Sequence, residues 1–250
     1  MGADDLANRK VPFNGLRWFF DHAETITPGN LERVKALGGG IAVQDRMAFQ
    51  GEYFREMYGK DAPEQSPPFK RMIEMGIPVG AGTDATRVAS YNPWVSPYWR
   101  VAGRTAGGLR HYPEDNCLDR LTALRLYTVG SSRFSGEEGK KGMIVPGQLA
   151  DLAVLSSDYL TVPEQEIRGI EAVLTIVGAK IVYAGGDFGN LAPPLPVSPE
   201  WSPVGRYGGY HSASPAATLT HSECTCHGHR RVWSPKDARL WGIGCDCFAF

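Results

Sequence analysis

The sequence predicts an α/β fold built on a parallel sheet, and three observations support this prediction. Short apolar segments alternate with amphipathic segments in the order strand, helix, strand, helix, strand between about residues 16 and 85. Such an alternation pairs successive strands in parallel through right-handed crossovers. Each of the three strands also ends in polar residues. Parallel pairing brings these ends to one edge of the sheet, where α/β enzymes build their sites.

The first strand and the first helix of this pattern lie between residues 16 and 38. The aromatic-rich segment Leu16–Glu24 ends in charge and is predicted to be a strand. In the following helix, Thr27 suits the N-cap, Pro28 suits the first turn and Gly38 suits the exit. The apolar stripe of this helix consists of Leu31, Val34 and Leu37.

The second and third strands are predicted at Ile41–Gln44 and at residues 78–85, with the sequence PVGAGTDA. Between them, a long loop leads into a helix that has Ser66 as its N-cap and Gly76 as its stop. The residues of this helix predicted to point inward are Phe69, Met72 and Ile73.

After Pro113 the pattern changes to one helix and a small β unit. A capped helix is predicted from Asn116 to about Gly130, and its mostly inward residues are Leu118, Leu121, Leu124 and Leu126. Three strands follow, with the sequences DLAVLS, VLTIV and KIVYA. Gly178-Ala179 suits a two-residue hairpin turn between the last two strands. Residues 185–220 are rich in Pro, Gly and Ser, which indicates a linker or an extended surface segment.

Composition excludes several classes of partner. The chain has 26 Lys and Arg against 27 Asp and Glu, and no basic stripe, so no nucleic-acid partner is expected. No run approaches the roughly 18 apolar residues that span a bilayer, and the first residues lack the apolar core of a signal peptide. We therefore expect a soluble cytoplasmic protein without a membrane partner. Four of the five cysteines lie in the last 27 residues, which indicates a local feature rather than a disulfide framework.

Four segments of the chain carry a family resemblance. In order, they are FFDHAE through IAVQ, then MGIPVGAGTDA, then ALRLYTVGSSRFSGEEGKKGMIVPGQLADLAVLS, then VLTIVGAKIVYAGG. The third segment contains the most specific block, Gly142–Leu155. The order and content of these segments resemble the amidohydrolase superfamily, and most of all its amidohydrolase-3 branch. The resemblance covers about Asn14–Asp187.

This resemblance implies an α/β architecture in which the chain is the C-terminal part, strands six to eight, of a (β/α)8 barrel with metal at its carboxyl-terminal mouth. Residues 1–130 would form this part of the TIM barrel. Residues 131–190 would belong to the β-sandwich that flanks the barrel in this superfamily. Residues 191–250 would form a Pro- and Gly-rich extension with a Cys- and His-rich tail.

The family pattern also has parts that this sequence lacks. The family carries a His-x-His pair on strand one, a bridging carboxylated Lys or other ligand in mid-barrel, single His residues on strands five and six, and an Asp on strand eight. His22 matches the strand-six His, and Asp84 matches the strand-eight Asp. Nothing before Asn14 can supply strands one to five. We therefore expect either a truncated start or a partner that completes the barrel, as a homo-oligomer or as a complementing N-terminal half.

The implied function is metal-dependent hydrolysis of a carbon–nitrogen bond in a small amide substrate, with zinc as the expected divalent metal. By resemblance, Asp84 coordinates the metal and accepts a proton from the water bound to it, whose pKa the metal lowers to roughly 7. The alternative is that Asp84 only caps a turn or a helix. His22 would ligate the metal or polarise the substrate carbonyl. The alternative is an imidazole paired with Asp21 or Glu24.

Weaker candidates lie at or after the strand ends. Residues of this group that could orient a substrate, or simply face solvent, are Gln44, Thr83, Arg87 and Asn92. An aromatic stretch after the third strand could wall a pocket for an acyl or aryl group. It could equally pack the bottom of the barrel or a dimer face. Its members are Trp94, Tyr98 and Trp99.

The tail offers a separate set of metal ligands. Thiolates and imidazoles are the ligands that zinc prefers, and two Cys-x-Cys pairs could form a closed tetrahedral site. The cysteines are Cys224, Cys226, Cys245 and Cys247, and the neighbouring histidines are His221, His227 and His229. The alternatives are a disordered tail with reduced thiols, or local disulfides. Two rival functions therefore stand beside the hydrolase, namely a non-catalytic half-barrel subunit and a zinc-binding module.

Overall fold

A three-stranded parallel sheet, built in chain order, organises the first part of the molecule. The computed structural model describes residues 3–13, 15–84 and 89–194. The strands are β1 (Phe19–Asp21), β2 (Gly40–Val43) and β3 (Val79–Ala81), with β2 in the centre. Pairing is parallel throughout, so the predicted α/β class and the predicted strand order are confirmed.

The strands are shorter than the sequence predicted. β1 covers three residues rather than Leu16–Glu24, because the backbone enters the left-handed region at His22 and Ala23 and leaves the line of the strand. The other two strands also end before the predicted polar residues. The polar ends therefore lie in turns that follow the sheet and not within it.

Helices connect and cover these strands. Thr27 caps the second helix as predicted, and its hydroxyl oxygen accepts a hydrogen bond from the Asn30 amide at 3.3 Å. The third helix occupies a segment predicted to be a loop, and that prediction was wrong. Buried residues at Met47 and Phe54 hold this helix against the core. The helices are α1 (Ala3–Lys10), α2 (Pro28–Ala36), α3 (Arg46–Tyr58), α4 (Phe69–Glu74) and α5 (Val95–Ala102).

Ser66 does not cap α4 as the sequence predicted. The helix begins after Pro68, and the Ser66 side chain is turned away to donate a hydrogen bond to the Ala62 carbonyl at 2.7 Å. That bond closes a short 3-10 helix, Ala62–Gln65. Ser66 is therefore a buried C-cap of one helix rather than the N-cap of the next.

The predicted helix Asn116–Gly130 begins later and ends later. Asp119 sets the start, because its carboxylate accepts a hydrogen bond from the Thr122 amide at 2.9 Å. The chain then forms α6 (Arg120–Arg125), a π-helical turn (Leu126–Gly130) and α7 (Ser131–Phe134) without a break.

An antiparallel sheet follows, in the order β4 (Leu152–Leu155), β5 (Ala172–Val177) and β6 (Lys180–Ala184). The predicted hairpin turn at Gly178-Ala179 is confirmed, and both residues have positive φ, as a primed turn requires. Three more 3-10 helices are Glu114–Asn116, Glu164–Gly169 and Gly186–Leu191. The last of these lies where the sequence predicted an extended segment.

The main core lies between the parallel sheet and its helices. Its members are buried and apolar and come from α2, β2, α3, α4, β3, α5 and neighbouring segments, including Leu31, Val34, Ile41, Val43, Phe69, Met72 and Trp99. Residues Met1–Ala192 form one unit by their contacts. Across the described ranges, every helix is too short or too polar to traverse a lipid bilayer.

The π-helical turn packs its last residue directly against β3. A Cβ atom added to Gly130 would lie 2.4 Å from the Val79 carbonyl oxygen and 3.3 Å from the Arg125 carbonyl oxygen. Both neighbours are backbone atoms that cannot rotate away. Glycine at this position is therefore required by close approach of the turn to the sheet.

Gly130→Ala is expected to lower the free energy of unfolding by about 1–3 kcal/mol, because the methyl group overpacks this contact. Chemical denaturation measures the change. The control is Gly29→Ala in α2, where an added Cβ meets nothing within 4 Å and alanine favours the helix. A Gly130 variant as stable as the Gly29 variant would contradict the packing described here.

Candidate functional site

His22 and Asp84 meet at the carboxyl edge of the parallel sheet. His22 directly follows β1, and Asp84 follows β3 by three residues. The imidazole Nε2 lies 3.7 Å from the Asp84 carboxylate Oδ2, and the two side chains are 40% and 44% exposed. The structure thus brings together the two residues that the sequence singled out, and each side chain is partly exposed to solvent.

Hydrogen bonds from β2 position the His22 backbone. The His22 amide faces two acceptors, the Ala42 carbonyl and the Gln44 side-chain Oε1, each at 2.8 Å. The first bond continues the β1–β2 ladder by one residue, and the second adds a side-chain anchor. Gln44, a weaker candidate in the sequence, therefore acts on the backbone of His22 in this structure.

The backbone at these strand ends is strained. His22, Ala23 and Asp84 have φ values of 72°, 64° and 55°, in a region that costs residues with a Cβ about 1–2 kcal/mol each. Such conformations persist where the surrounding structure imposes them, and they cluster at functional sites. Here they turn two side chains, from strands that do not pair with each other, toward one point.

Glu24 faces the other side of the imidazole. Its Oε1 lies 3.4 Å from His22 Nδ1, and the Glu24 side chain is only 14% exposed. A histidine that ligates metal through one ring nitrogen usually directs the other toward a carboxylate or carbonyl. Of the two neighbours named from the sequence, Glu24 rather than Asp21 contacts the ring. The same contact serves either a ligand histidine or one that is only paired with a carboxylate.

The His22–Asp84 geometry is compatible with a shared metal ion. Two ligands of a tetrahedral zinc, each bound at about 2.0–2.1 Å, lie roughly 3.3 Å apart, and the observed Nε2–Oδ2 distance is 3.7 Å. A catalytic zinc usually takes three protein ligands. Within residues 3–13, 15–84 and 89–194, no group of three or more His, Cys, Asp or Glu is arranged to hold a metal. The described part of the chain therefore offers two donors of the usual three.

Among the other weak candidates, Asn92 has a local structural role. Asn92 closes a turn, because its Oδ1 accepts from the Trp94 amide at 2.9 Å and its Nδ2 donates to the Arg168 carbonyl at 3.1 Å. Thr83 directly precedes Asp84 after the end of β3. Arg87 lies outside the described residues, as do the tail cysteines Cys224, Cys226, Cys245 and Cys247 and the tail histidines His221, His227 and His229.

The aromatic stretch packs the interior. Trp99 is fully buried, with ring centroids 5.2 Å from Phe69 and 5.3 Å from Tyr112. The Tyr98 hydroxyl donates to Gln165 at 3.0 Å, and the Trp94 ring lies 5.3 Å from that of Tyr159. These three side chains therefore pack against other side chains of the described residues.

One residue at this edge received no role from the sequence. Asp45 comes directly after Gln44 and is fully buried, and neither carboxylate oxygen has a hydrogen-bond partner. Burial raises the pKa of Asp45 from 3.8 to about 7, against the lowering effect of Arg100, and the charge of Asp84 adds to the increase. The sequence feature that could have identified Asp45 is its position at the end of the second predicted strand. Helix α3, which begins directly after Asp45, was not predicted from the sequence pattern.

The sequence of this chain is similar to those of known amidohydrolases. A model described as the amidohydrolase family matches residues 2–183. The putative amidohydrolase YtcJ of Bacillus subtilis (strain 168) is 28% identical over 191 residues, covering 72% of this chain and 36% of that protein. The N-substituted formamide deformylase of Arthrobacter pascens is 27% identical over 165 residues, covering 65% and 30%. The chain thus spans about a third of the length of these curated relatives.

Solved structures of hydrolases also superpose on part of this chain. An uncharacterized metal-dependent hydrolase from Pyrococcus horikoshii OT3 superposes with a TM-score of 0.53 at 27% identity, covering 65% of this chain and 33% of that one. Atrazine chlorohydrolase TrzN from Arthrobacter aurescens TC1, solved with zinc, superposes with a TM-score of 0.50 at 22% identity, covering 71% and 37%. The second likeness concerns the fold alone.

The buried Asp45 carboxyl makes stability depend on pH. Its folded-state pKa of about 7 exceeds the ordinary value of 3.8, so the folded chain keeps a proton that the unfolded chain loses. This contribution is complete below the ordinary pKa and disappears as pH rises through 7. Relative to Asp45→Asn, the wild type should lose stability across that window, by an amount on the order of 4 kcal/mol at about 1.4 kcal/mol per pKa unit.

Urea denaturation at a series of pH values measures this difference. The matched control is Asp61→Asn, at an exposed aspartate that begins a 3-10 helix without a side-chain cap. The difference in unfolding free energy between wild type and Asp61→Asn should not change across this pH window as it does for Asp45→Asn. A difference between wild type and Asp45→Asn that stays constant with pH would contradict the assignment.

Proposed function

We propose, because this chain belongs to the amidohydrolase family, that it forms part of a metal-dependent hydrolase acting on a non-peptide carbon–nitrogen bond of a small amide. The observation that carries the proposal is the approach of His22 Nε2 to Asp84 Oδ2 at the carboxyl edge of the sheet. N-substituted formamides are the substrate class to examine first, since one relative is named as a deformylase of such compounds. Water would convert the formamide to an amine and formate.

The proposed architecture places β1, β2 and β3 as strands six to eight of a (β/α)8 barrel. Their parallel pairing in chain order supports this assignment. In such a barrel, residues at the carboxyl ends of the strands face the active site, which is where His22 and Asp84 lie. The antiparallel sheet of β4, β5 and β6 would belong to the flanking β-sandwich. The proposed location of the protein is the cytoplasm.

The chain's own residues have distinct roles in this proposal. A divalent metal, proposed to be zinc, supplies acidity by lowering the pKa of a water molecule to roughly 7. His22 and Asp84 would hold the ion through Nε2 and a carboxylate oxygen, and His22 could instead polarise the substrate carbonyl. Asp84 would accept the proton released by the attacking water and pass it on to the leaving nitrogen. Glu24 would fix the orientation of the imidazole through Nδ1.

Completion of the site needs further donors, which we propose come from a complementing N-terminal half or from another copy of the chain. The two donors present fall short of the three protein ligands of a catalytic zinc. Among the described residues, no strand pairs with the outer edge of β1, whose Phe19 and Phe20 are 37% and 38% exposed. An apolar edge of this kind favours pairing with another strand. A non-catalytic half-barrel subunit is the rival that this arrangement also permits.

A second metal site remains a separate proposal. Cys224, Cys226, Cys245 and Cys247 supply four thiol ligands within the last 27 residues, which suits a structural zinc. Assays of metal at the sheet edge should therefore use a chain in which these four cysteines are replaced by serine. In that background, any metal that responds to His22 or Asp84 variants belongs to the sheet edge and not to these thiols.

The purified chain alone is expected to show no turnover of N-alkyl and N-aryl formamides, because the site lacks donors. Co-expression with a polypeptide carrying barrel strands one to five should produce metal-dependent release of formate. Asp84→Asn should then lower kcat/KM by at least roughly 100-fold, the usual contribution of a general base. A coupled formate assay measures turnover.

Asp61→Asn serves as the control, since this exposed carboxylate lies outside the candidate site. Activity that survives Asp84→Asn, or that needs no divalent metal, would overturn the proposed function. Activity of the chain alone that Asp84→Asn abolishes would overturn only the need for a complementing half.

A further inference from the structure

The outer edge of β3 is the side of that strand that faces away from β2. On the inner side, the Pro78 carbonyl accepts a hydrogen bond from the Ile41 amide at 2.9 Å. The Gly82 amide donates to the Val43 carbonyl at 3.0 Å on the same side. The backbone groups of Ala81 alternate with these and face outward. Unpaired N–H and C=O groups at such an edge are where another strand can add.

Ser131, the first residue of α7, lies at this edge. Its hydroxyl oxygen accepts a hydrogen bond from the Ala81 amide at 3.1 Å. The hydroxyl hydrogen is shared between the Ala81 carbonyl at 2.8 Å and the Leu126 carbonyl at 3.0 Å. Because a hydroxyl both donates and accepts, one side chain contacts both backbone groups of Ala81 that an added strand would need.

Gly130 covers the other end of the same edge. A Cβ atom added to it would lie 2.4 Å from the Val79 carbonyl oxygen and 3.3 Å from the Gly80 Cα atom. The backbone of the π-helical turn therefore lies directly against β3. Val79 and Ala81 are the first and last residues of this strand. We refer to Gly130 and Ser131 as the edge cap.

Phe134, three residues after Ser131, holds the edge cap on the sheet. The centroid of its ring lies 4.5 Å from that of Phe19 in β1. Cβ atoms added to Gly40 in β2 and Gly80 in β3 would each lie 2.6 Å from a ring carbon of Phe134. One aromatic ring thus contacts all three strands, and movement of α7 away from β3 would expose it.

The opposite edge of the sheet, along β1, carries no paired strand among the described residues. β1 bonds β2 through the Trp18 carbonyl and the His22 amide, so the backbone of the exposed Asp21 faces outward. β1 and β3 have three residues each and run in the same direction. If β3 were uncovered, β1 of a second copy could pair with it in parallel. Each added copy would then offer a new edge, and such head-to-tail contacts build open-ended assemblies.

We propose that the edge cap closes β3 against β1 of a second copy of this chain. The parallel sheet then accepts an added strand at β1 alone, and head-to-tail assembly is blocked. This inference needs neither metal nor turnover and is independent of the proposed function. Closure of the proposed barrel would place another strand beside β3, and the edge cap would first have to leave that strand.

Hydrogen exchange of the Ala81 amide in the full chain tests the cap itself. Ser131→Ala should speed exchange of this amide by roughly tenfold, the effect of losing about one hydrogen bond. The matched control is Ser132→Ala, because the buried Ser132 hydroxyl donates to the Val129 carbonyl at 2.8 Å within the same turn. The control should leave the ratio of exchange rates at Ala81 and Ile41 unchanged. In Ser131→Ala, an unchanged rate at Ala81, or rates at Ala81 and Ile41 that rise in proportion, would overturn the inference.

Sedimentation velocity at a series of protein concentrations, with a reductant present, tests whether the cap excludes a second copy. Because the cap competes with an added strand, Ser131→Ala should associate at concentrations roughly tenfold below those of the wild type and of Ser132→Ala. Adding Asp21→Pro should abolish this extra association, since proline removes an outward amide donor of β1. Continued protection of the His22 amide would show that β1 and β2 remain paired in the proline variant.

Two outcomes would contradict the proposed exclusion of a second copy. One is association of Ser131→Ala no stronger than that of Ser132→Ala, a comparison that does not depend on folding of the proline variant. The other is extra association that persists when Asp21→Pro is added and the His22 amide remains protected. Loss or absence of amide hydrolysis would bear on the proposed function and not on this inference.

Discussion

Parallel pairing of three short strands is the constraint on which the rest of the structure depends. With β2 in the centre, the His22 amide bonds the Ala42 carbonyl and the Gly82 amide bonds the Val43 carbonyl at 3.0 Å. These two bonds fix where β1 and β3 end relative to the central strand. Because all three chains run in the same direction, their polar ends reach one edge. His22 and Asp84 meet there although their strands are not neighbours.

The aromatic interior next to this edge packs against the sheet whose ends carry His22 and Asp84. Aromatic residues such as Phe69 and Trp99 enclose the sheet and bury a guanidinium among them. Burial also makes ionisation of Asp45 costly, and the pKa of its carboxyl rises to about 7. The strained backbone at His22 and Asp84 adds a further cost at the edge. Burial of the apolar core thus offsets the backbone strain at His22 and Asp84, whose side chains face each other.

Sequence patterns predicted the part of this structure that depends on local chemistry. Strand order, the Thr27 cap and the Gly178-Ala179 turn follow from residue types at fixed spacing, and family resemblance pointed to His22 and Asp84. Helix α3 was missed because polar residues interrupt its apolar stripe. The buried positions of Asp45 and of Arg100 in α5 were missed for a related reason. Their burial arises only from tertiary packing, which one strand's pattern does not encode.

The most direct test of the central claim is the effect of a paramagnetic ion on assigned amide signals. Mn²⁺, which suits carboxylate ligands, would be titrated into the full chain with Cys224, Cys226, Cys245 and Cys247 replaced by serine. A shared site predicts that signals of His22 and Asp84 broaden together, and that Asp84→Asn abolishes the broadening at His22. Broadening at His22 that persists unchanged in Asp84→Asn, or none at either residue, would contradict a metal-binding pair at this edge.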